Sequence, residues 1–199
     1  MVEILKQYIG GAWVESSATG STPVINPATC EVLAHVPDGG REDVNRAAAA
    51  ATAAFDDWRR TPLLSRAQYM FRFKDLLENR FEDLAEAIVK ENGKTRDEAR
   101  GEVRRGIESV DFAVSVPSIM RGYKVEDISS GIDETAERQP IGVFAAITPF
   151  NFPMMVPMWF LPTAITTGNT YIMKPSPQTP LSMQLVYELL DELDLPEGW

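Results

Sequence analysis

Two short apolar runs, GVFAAIT at 142–148 and TYIMK at 170–174, constrain this chain more than any other feature. An unbroken apolar run of strand length is what a strand covered on both faces of a parallel sheet requires. Between the runs, 153–167 reads as a helix that Gly168-Asn169 breaks. After the second run comes the proline-rich stretch PSPQTP at 175–180, and then a helix over 182–193. Strand, helix, strand, helix is the opening of a doubly wound α/β sheet. The sequence closes on DLPEGW, a loop of the kind that feeds a third strand. Two parallel strands alone do not make a stable open sheet. The expectation is therefore the N-terminal piece of a larger protein.

The residues before 142 have a different rhythm. QYIGGAWV at 7–14 and TPVINPATCEVLAHV at 22–36 read as short strands joined by turns at Gly10-Gly11 and Asn26-Pro27. Val44, Ala47, Ala48, Ala51, Phe55 and Trp58 recur at helical spacing and predict an amphipathic helix over 42–58. SRAQ at 65–68 resembles a capping box that opens a second helix. Its apolar face runs through Tyr69, Phe73, Leu76, Leu77, Leu84 and Ile88, with Gly93 as its stop. TRDE at 95–98 is another capping box, opening a third helix through Val103, Ile107, Val110 and Val114. Residues 122–140 read as an extended pair of strands bending near Gly131.

Composition narrows the function classes. With 19 Lys and Arg against 29 Asp and Glu, the net charge is −10. That excludes nucleic acid as a natural partner, since phosphates call for cations. No apolar run reaches the roughly 18 residues of a membrane span. The single cysteine, Cys30, permits no internal disulfide, and a cytoplasmic location is the default. His35, the one histidine, has no ligand cluster around it, so no metal site is expected.

In open parallel sheets, ligands bind outside the carboxyl ends of the strands. Two such ends exist here: Thr148-Pro149-Phe150-Asn151 and Lys174-Pro175-Ser176. A right-handed crossover places such strands side by side, so the loops should meet. Asn151 admits two readings. It can cap the following helix just before an early proline, or its amide can hold a developing oxyanion. Lys174 is either a solvated strand-end charge or a cation for hydroxyls or phosphates. Cys30 reads as an inert thiol, with no charged partner to activate it.

Five stretches, YIGGAWVES, INPATCEVLAHVP, ENGKTRDEARGEV, PIGVFAAITPFNFP and GNTYIMKPSPQTPLS, resemble the N-terminal part of aldehyde dehydrogenases in order and spacing. The resemblance covers essentially the whole chain. RGIESVDFA, RQPIGV, Phe150 within PFNFP and MVPMWFLPTAI are most similar to the methylmalonate-semialdehyde dehydrogenases, acylating enzymes that use NAD and coenzyme A. The resemblance implies that Asn151 stabilises the oxyanion formed when a cysteine attacks the aldehyde. It implies that Thr148 and Phe150 contact NAD, that Lys174 binds the adenosine ribose, and that Gln178 occupies a contact position. Pro177 stands where relatives usually carry a ribose-gripping Glu. The change removes a hydrogen bond, and also a repulsion against the 2′-phosphate of NADP, so NAD is expected with NADP left open.

Arg105 matches an arginine for the substrate carboxylate, with a solvated helix charge as the alternative. By the same resemblance, 1–121 holds the N-terminal strands and helices of the cofactor-binding domain. Residues 122–140 form an oligomerisation arm, and 141–199 begin the Rossmann-like NAD-binding core. The nucleophilic Cys and general-base Glu of the family match nothing within the 199 residues, so the chain by itself is expected to be inactive. A homo-oligomer acting on malonate or methylmalonate semialdehyde is the leading expectation. The alternatives are a non-acylating semialdehyde dehydrogenase and a non-catalytic chain that binds only nucleotide or partner subunits.

Overall fold

The computed structural model describes residues 2–193 and 195. The expected lead into a third strand, in DLPEGW, falls almost wholly outside them. Among the described residues four strands, five helices and a hairpin precede a strand–helix–strand–helix unit, and the strands form four two-stranded sheets. Strands β1 (Gln7–Ile9) and β2 (Ala12–Val14) form a hairpin about Gly10-Gly11. Strands β3 (Ser21–Ile25) and β4 (Val32–Pro37) pair antiparallel, with Cys30 exposed in their turn.

Helix α1 (Arg41–Trp58) buries Ala51 and Trp58, but Val44, expected on its apolar face, is 63% exposed. The single helix expected to run to Gly93 is two: α2 (Leu63–Asn79) and α3 (Phe81–Asn92), broken at Arg80. The capping box at 65–68 is not one either. Helix α2 begins three residues earlier than such a box requires, with Pro62 in extended backbone as its N-cap and no side chain capping it. The second box is real: Thr95 Oγ1 accepts from Glu98 N at 3.3 Å and opens α4 (Arg96–Val114). A short α5 (Val116–Ile119) follows.

Strands β5 (Tyr123–Ser129) and β6 (Ile132–Ala136) form a hairpin whose first strand is exposed along its entire length. Strand β7 (Val143–Ile147) pairs parallel with β8 (Thr170–Lys174), in register from Val143 opposite Thr170 to Ile147 opposite Lys174. Helix α6 (Met155–Thr166) connects them and α7 (Leu181–Asp191) follows.

The core lies where α2, α3 and α4 pack against α6, β8 and α7. Phe73, Leu77, Ile88, Val103, Ile107, Val110, Met158 and Leu161 are fully buried there. Gly106 on α4 faces α6, where an added Cβ would just touch Met154 Cε at 3.4 Å. Trp58 Nε1 donates to the Ile165 carbonyl at 3.0 Å, tying α1 to α6. The hairpin β1–β2 is held to α7 because Tyr8 and Trp13 both donate to Asp191, at 2.8 and 3.1 Å.

One expectation fails for a clear reason. Strand β7 was expected to be covered on both faces, yet Val143 is 39% and Ile147 83% exposed. Its only strand neighbour among the described residues is β8, so its other edge has no strand beside it. No described helix is long and apolar enough to cross a membrane.

Candidate functional site

The parallel register fixes the site. Ile147 stands opposite Lys174 at the carboxyl ends of β7 and β8, so the loops that leave these strands start side by side. Thr148 N donates to the Lys174 carbonyl at 3.2 Å, extending the ladder by one step into the loops. Further on, Thr179 Oγ1 lies 3.5 Å from the Phe150 carbonyl, a second link between them. Thr148, Phe150, Asn151, Lys174, Pro177 and Gln178 are thus brought to one edge.

Within that edge Thr148 is buried, whereas Phe150, Asn151, Lys174, Pro177 and Gln178 are exposed. Lys174 pairs with no carboxylate among the described residues. Arg105 lies elsewhere, on the exposed side of α4, one residue before the Gly106 contact with α6. It too has no carboxylate partner among the described residues. Its neighbours on the helix do: Arg104 is paired with Glu78, and Arg100 with Glu82.

Asn151 does not cap the helix. Helix α6 starts at Met155, and its N-terminal amides are satisfied from α4 instead. Glu102 Oε1 accepts from Met154 N at 2.9 Å and from Met155 N at 3.2 Å. The Asn151 carbonyl accepts from Lys94 Nζ at 2.6 Å, and its side-chain amide has no hydrogen bond to described residues. A donor left unused by the fold remains available to a ligand.

Helix α7 is capped in the same manner. Glu91 accepts from Leu181 N and, at 3.0 Å, from Ser182 N. Burial pushes the Glu91 carboxyl up to about 7, against the opposing pull of the groups from Ser182 and Leu181 that donate to it. Two buried carboxylates therefore sit on the positive N-terminal ends of α6 and α7. Those ends are the usual anion sites of an α/β fold. With both occupied internally, neither helix end is open to an anion, and Lys174 is a cation at this edge with no carboxylate partner among the described residues.

Glu91 and Glu102 escaped the sequence reading. The available signal was a carboxylate on an apolar helix face, three residues beyond Ile88 in one case and Ala99 in the other.

A cavity of about 510 Å³ runs along the open edge of β8. It takes in Met173, Lys174 and Pro177, with Val44 and Tyr187 among its walls, but neither Asn151 nor Arg105. One end of the edge is thus a trough leading to Lys174, and the other is the amide of Asn151.

Two parallel strands with ligand loops at their carboxyl ends define a doubly wound α/β protein. The chain belongs to the aldehyde dehydrogenase family, whose pattern it matches over residues 13–199. It is 50% identical over 197 residues to malonate-semialdehyde dehydrogenase 1 of Geobacillus thermodenitrificans (strain NG80-2), covering 99% of this chain and 41% of the relative. Malonate-semialdehyde dehydrogenase of Halalkalibacterium halodurans is 50% identical over 196 residues, 98% of this chain and 40% of the relative. Among solved structures, the methylmalonate-semialdehyde dehydrogenase DddC from Oceanimonas doudoroffii superposes with a TM-score of 0.94 at 43% identity, over 100% of this chain and 40% of that one. A protein from Sinorhizobium meliloti 1021, described as a methylmalonate-semialdehyde dehydrogenase and complexed with NAD, gives 0.95 at 37% identity, with the same coverage of 100% and 40%. The chain spans about 40% of the length of the curated relatives it matches, and its fold is that of the N-terminal part of such structures.

Proposed function

We propose that this chain forms the N-terminal portion of a cytoplasmic, NAD-dependent dehydrogenase that converts malonate or methylmalonate semialdehyde to an acyl-CoA. The observation that carries this reading is the junction of the two loops at Thr148 and Lys174, in a chain half identical to malonate-semialdehyde dehydrogenases.

The cofactor edge fits a dinucleotide. Lys174 offers an unpaired ammonium for ribose hydroxyls, and no acid lies between it and Pro180 to repel a phosphate. Thr148, Phe150, Pro177 and Gln178 complete the contact surface. With Pro177 in place of a carboxylate, NADP is not electrostatically rejected. When bound, the nicotinamide supplies the hydride acceptor.

Asn151 supplies the oxyanion donor. A thiol from outside these 199 residues adds to the aldehyde carbon, and the carbonyl oxygen gains negative charge. The Asn151 amide N–H donates to that oxygen as the charge develops. The methionines that follow it, Met154, Met155 and Met158, are buried. Arg105 can hold the substrate's distal carboxylate through two parallel hydrogen bonds. Loss of hydride from that carbon to the bound acceptor would leave an acyl thioester on the thiol, and transfer of the acyl group to coenzyme A would free the thiol again. Residues 122–140, as an exposed hairpin, serve as the arm between subunits of a homo-oligomer, since an unpaired strand edge calls for a neighbour. The divisions 1–121 and 141–199 are the remaining structural units of this reading.

The deciding assay uses the complete enzyme, meaning a chain that continues through the length of the relatives. Malonate semialdehyde should give NADH and an acyl-CoA in equal amounts, with turnover dependent on coenzyme A. Free acid formed at the same rate without coenzyme A would overturn the acylating reading, and no NADH with any semialdehyde would overturn the whole.

A further inference from the structure

The loop that presents Asn151 has no regular structure of its own between the end of β7 at Ile147 and the start of α6 at Met155. Its side-chain amide is unbonded among the described residues, so its direction depends on the backbone beneath it. Besides the links from Thr148 and Thr179 to the β8 loop, that backbone is held from the α3–α4 turn and the helix ends beside it. Asn92 Nδ2 donates to the Phe150 carbonyl at 2.8 Å. Lys94 Nζ donates to the Asn151 carbonyl at 2.6 Å and lies 4.0 Å from the centre of the Phe152 ring. The same ammonium is paired with Glu102, whose other oxygen accepts from Met154 N and Met155 N. Residues 150, 151, 152, 154 and 155 are therefore gripped from one side by three side chains.

We propose that Lys94, with Asn92 and Glu102, is a positioning residue that aims the Asn151 amide at the developing oxyanion; the proposal rests on the oxyanion role given to Asn151 above. Two observations and one physical argument support it. First, the pair is largely withdrawn from water: the Glu102 side chain is buried at 1% exposure and that of Lys94 is partly buried at 16%. A buried ion pair adds little net stability over well-packed apolar side chains, so stability alone does not explain it. Second, the turn that carries Lys94 is itself pinned. Gly93 has φ of 79° and lies against Pro27, where any Cβ would come within 2.7 Å of the proline ring. Third, oxyanion donors work only within a narrow distance window, and a misplacement of about 1 Å costs on the order of 10²-fold in rate. A loop with no ladder of its own needs such an external clamp.

The test is a double-mutant cycle in the complete enzyme. Lys94→Met keeps the length of the side chain and removes the ammonium. It should lower kcat by about tenfold or more while leaving the KM for NAD within about twofold. In an Asn151→Ala background, the same substitution should cost less than about twofold, because the group it aims is gone. Lys94→Arg should recover most of the lost kcat. Should Lys94→Met prove insoluble, Asn92→Ala is carried through the same cycle with the same expectation. A kcat within twofold of the parent, or an equal loss with and without the Asn151 amide, would overturn the proposal and mark the cluster as merely structural. If Asn151→Ala alone leaves kcat intact, the oxyanion reading fails, and the positioning role falls with it.

Discussion

Replacing Asn151 with alanine separates chemistry from folding more cleanly than any other change in this chain. The side chain is exposed and makes no hydrogen bond to described residues, while the backbone carbonyl that Lys94 holds survives the substitution. Surface truncations of this kind shift stability by about 0.5 kcal/mol or less. Loss of one oxyanion donor, by contrast, lowers kcat by about 10²–10³-fold, equivalent to roughly 3–4 kcal/mol in the barrier. The two effects differ enough to be read apart. In the complete enzyme, steady-state NADH absorbance should show that drop in kcat, while NAD binding followed by fluorescence stays within about twofold of the parent. Asn151→Asp keeps the shape but replaces the donor with an acceptor, and should be at least as damaging. A kcat within about fivefold of the parent would refute the reasoning. So would a fall in the melting temperature of several degrees together with a matching loss of NAD binding, because the defect would then lie in folding.

Three further outcomes follow from the proposed roles and from the open sheet edge. Arg105→Ala should raise the KM for carboxylated aldehydes by about tenfold or more, the worth of a charge-assisted hydrogen-bonded pair, and spare propanal; equal losses on both substrates would sink the carboxylate role. Pro177→Glu should sharpen the preference for NAD over NADP, measured as the ratio of kcat/KM for the two cofactors, and an unchanged ratio would assign that preference to other residues. The 199-residue chain expressed alone should bind a hydrophobic dye and elute as an aggregate or oligomer, because Ile141 and Ile147, each 83% exposed, lie beside the open edge of β7, at a cost of roughly 25 cal/mol for each Å² left unburied. It should also form no NADH from any semialdehyde. A monodisperse monomer with a sharp melt would contradict the first claim, and aldehyde-dependent NADH formation the second.

What the sequence by itself determined was set by neighbours within a turn or a strand. Thr95 and Glu98 cap α4 because both partners lie within one helical turn, and Gly93 ends α3 because only glycine takes φ of 79° cheaply. The apolar runs at 142–148 and 170–174 gave a parallel pair, so the meeting of the Asn151 and Lys174 loops was legible as a consequence of topology. Tertiary structure decided what depends on distant partners. The N-termini of α6 and α7 are capped by Glu102 and Glu91, 52 and 90 residues or more away in the chain, and no local pattern at Asn151 or Pro180 could announce them. The break at Arg80 was hidden because Leu84 and Ile88 continue the apolar spacing of Phe73 and Leu77 across it. The exposure of β7 could not be read from its composition, since an apolar run records what a strand can bury, and burial itself depends on which neighbours arrive to cover it.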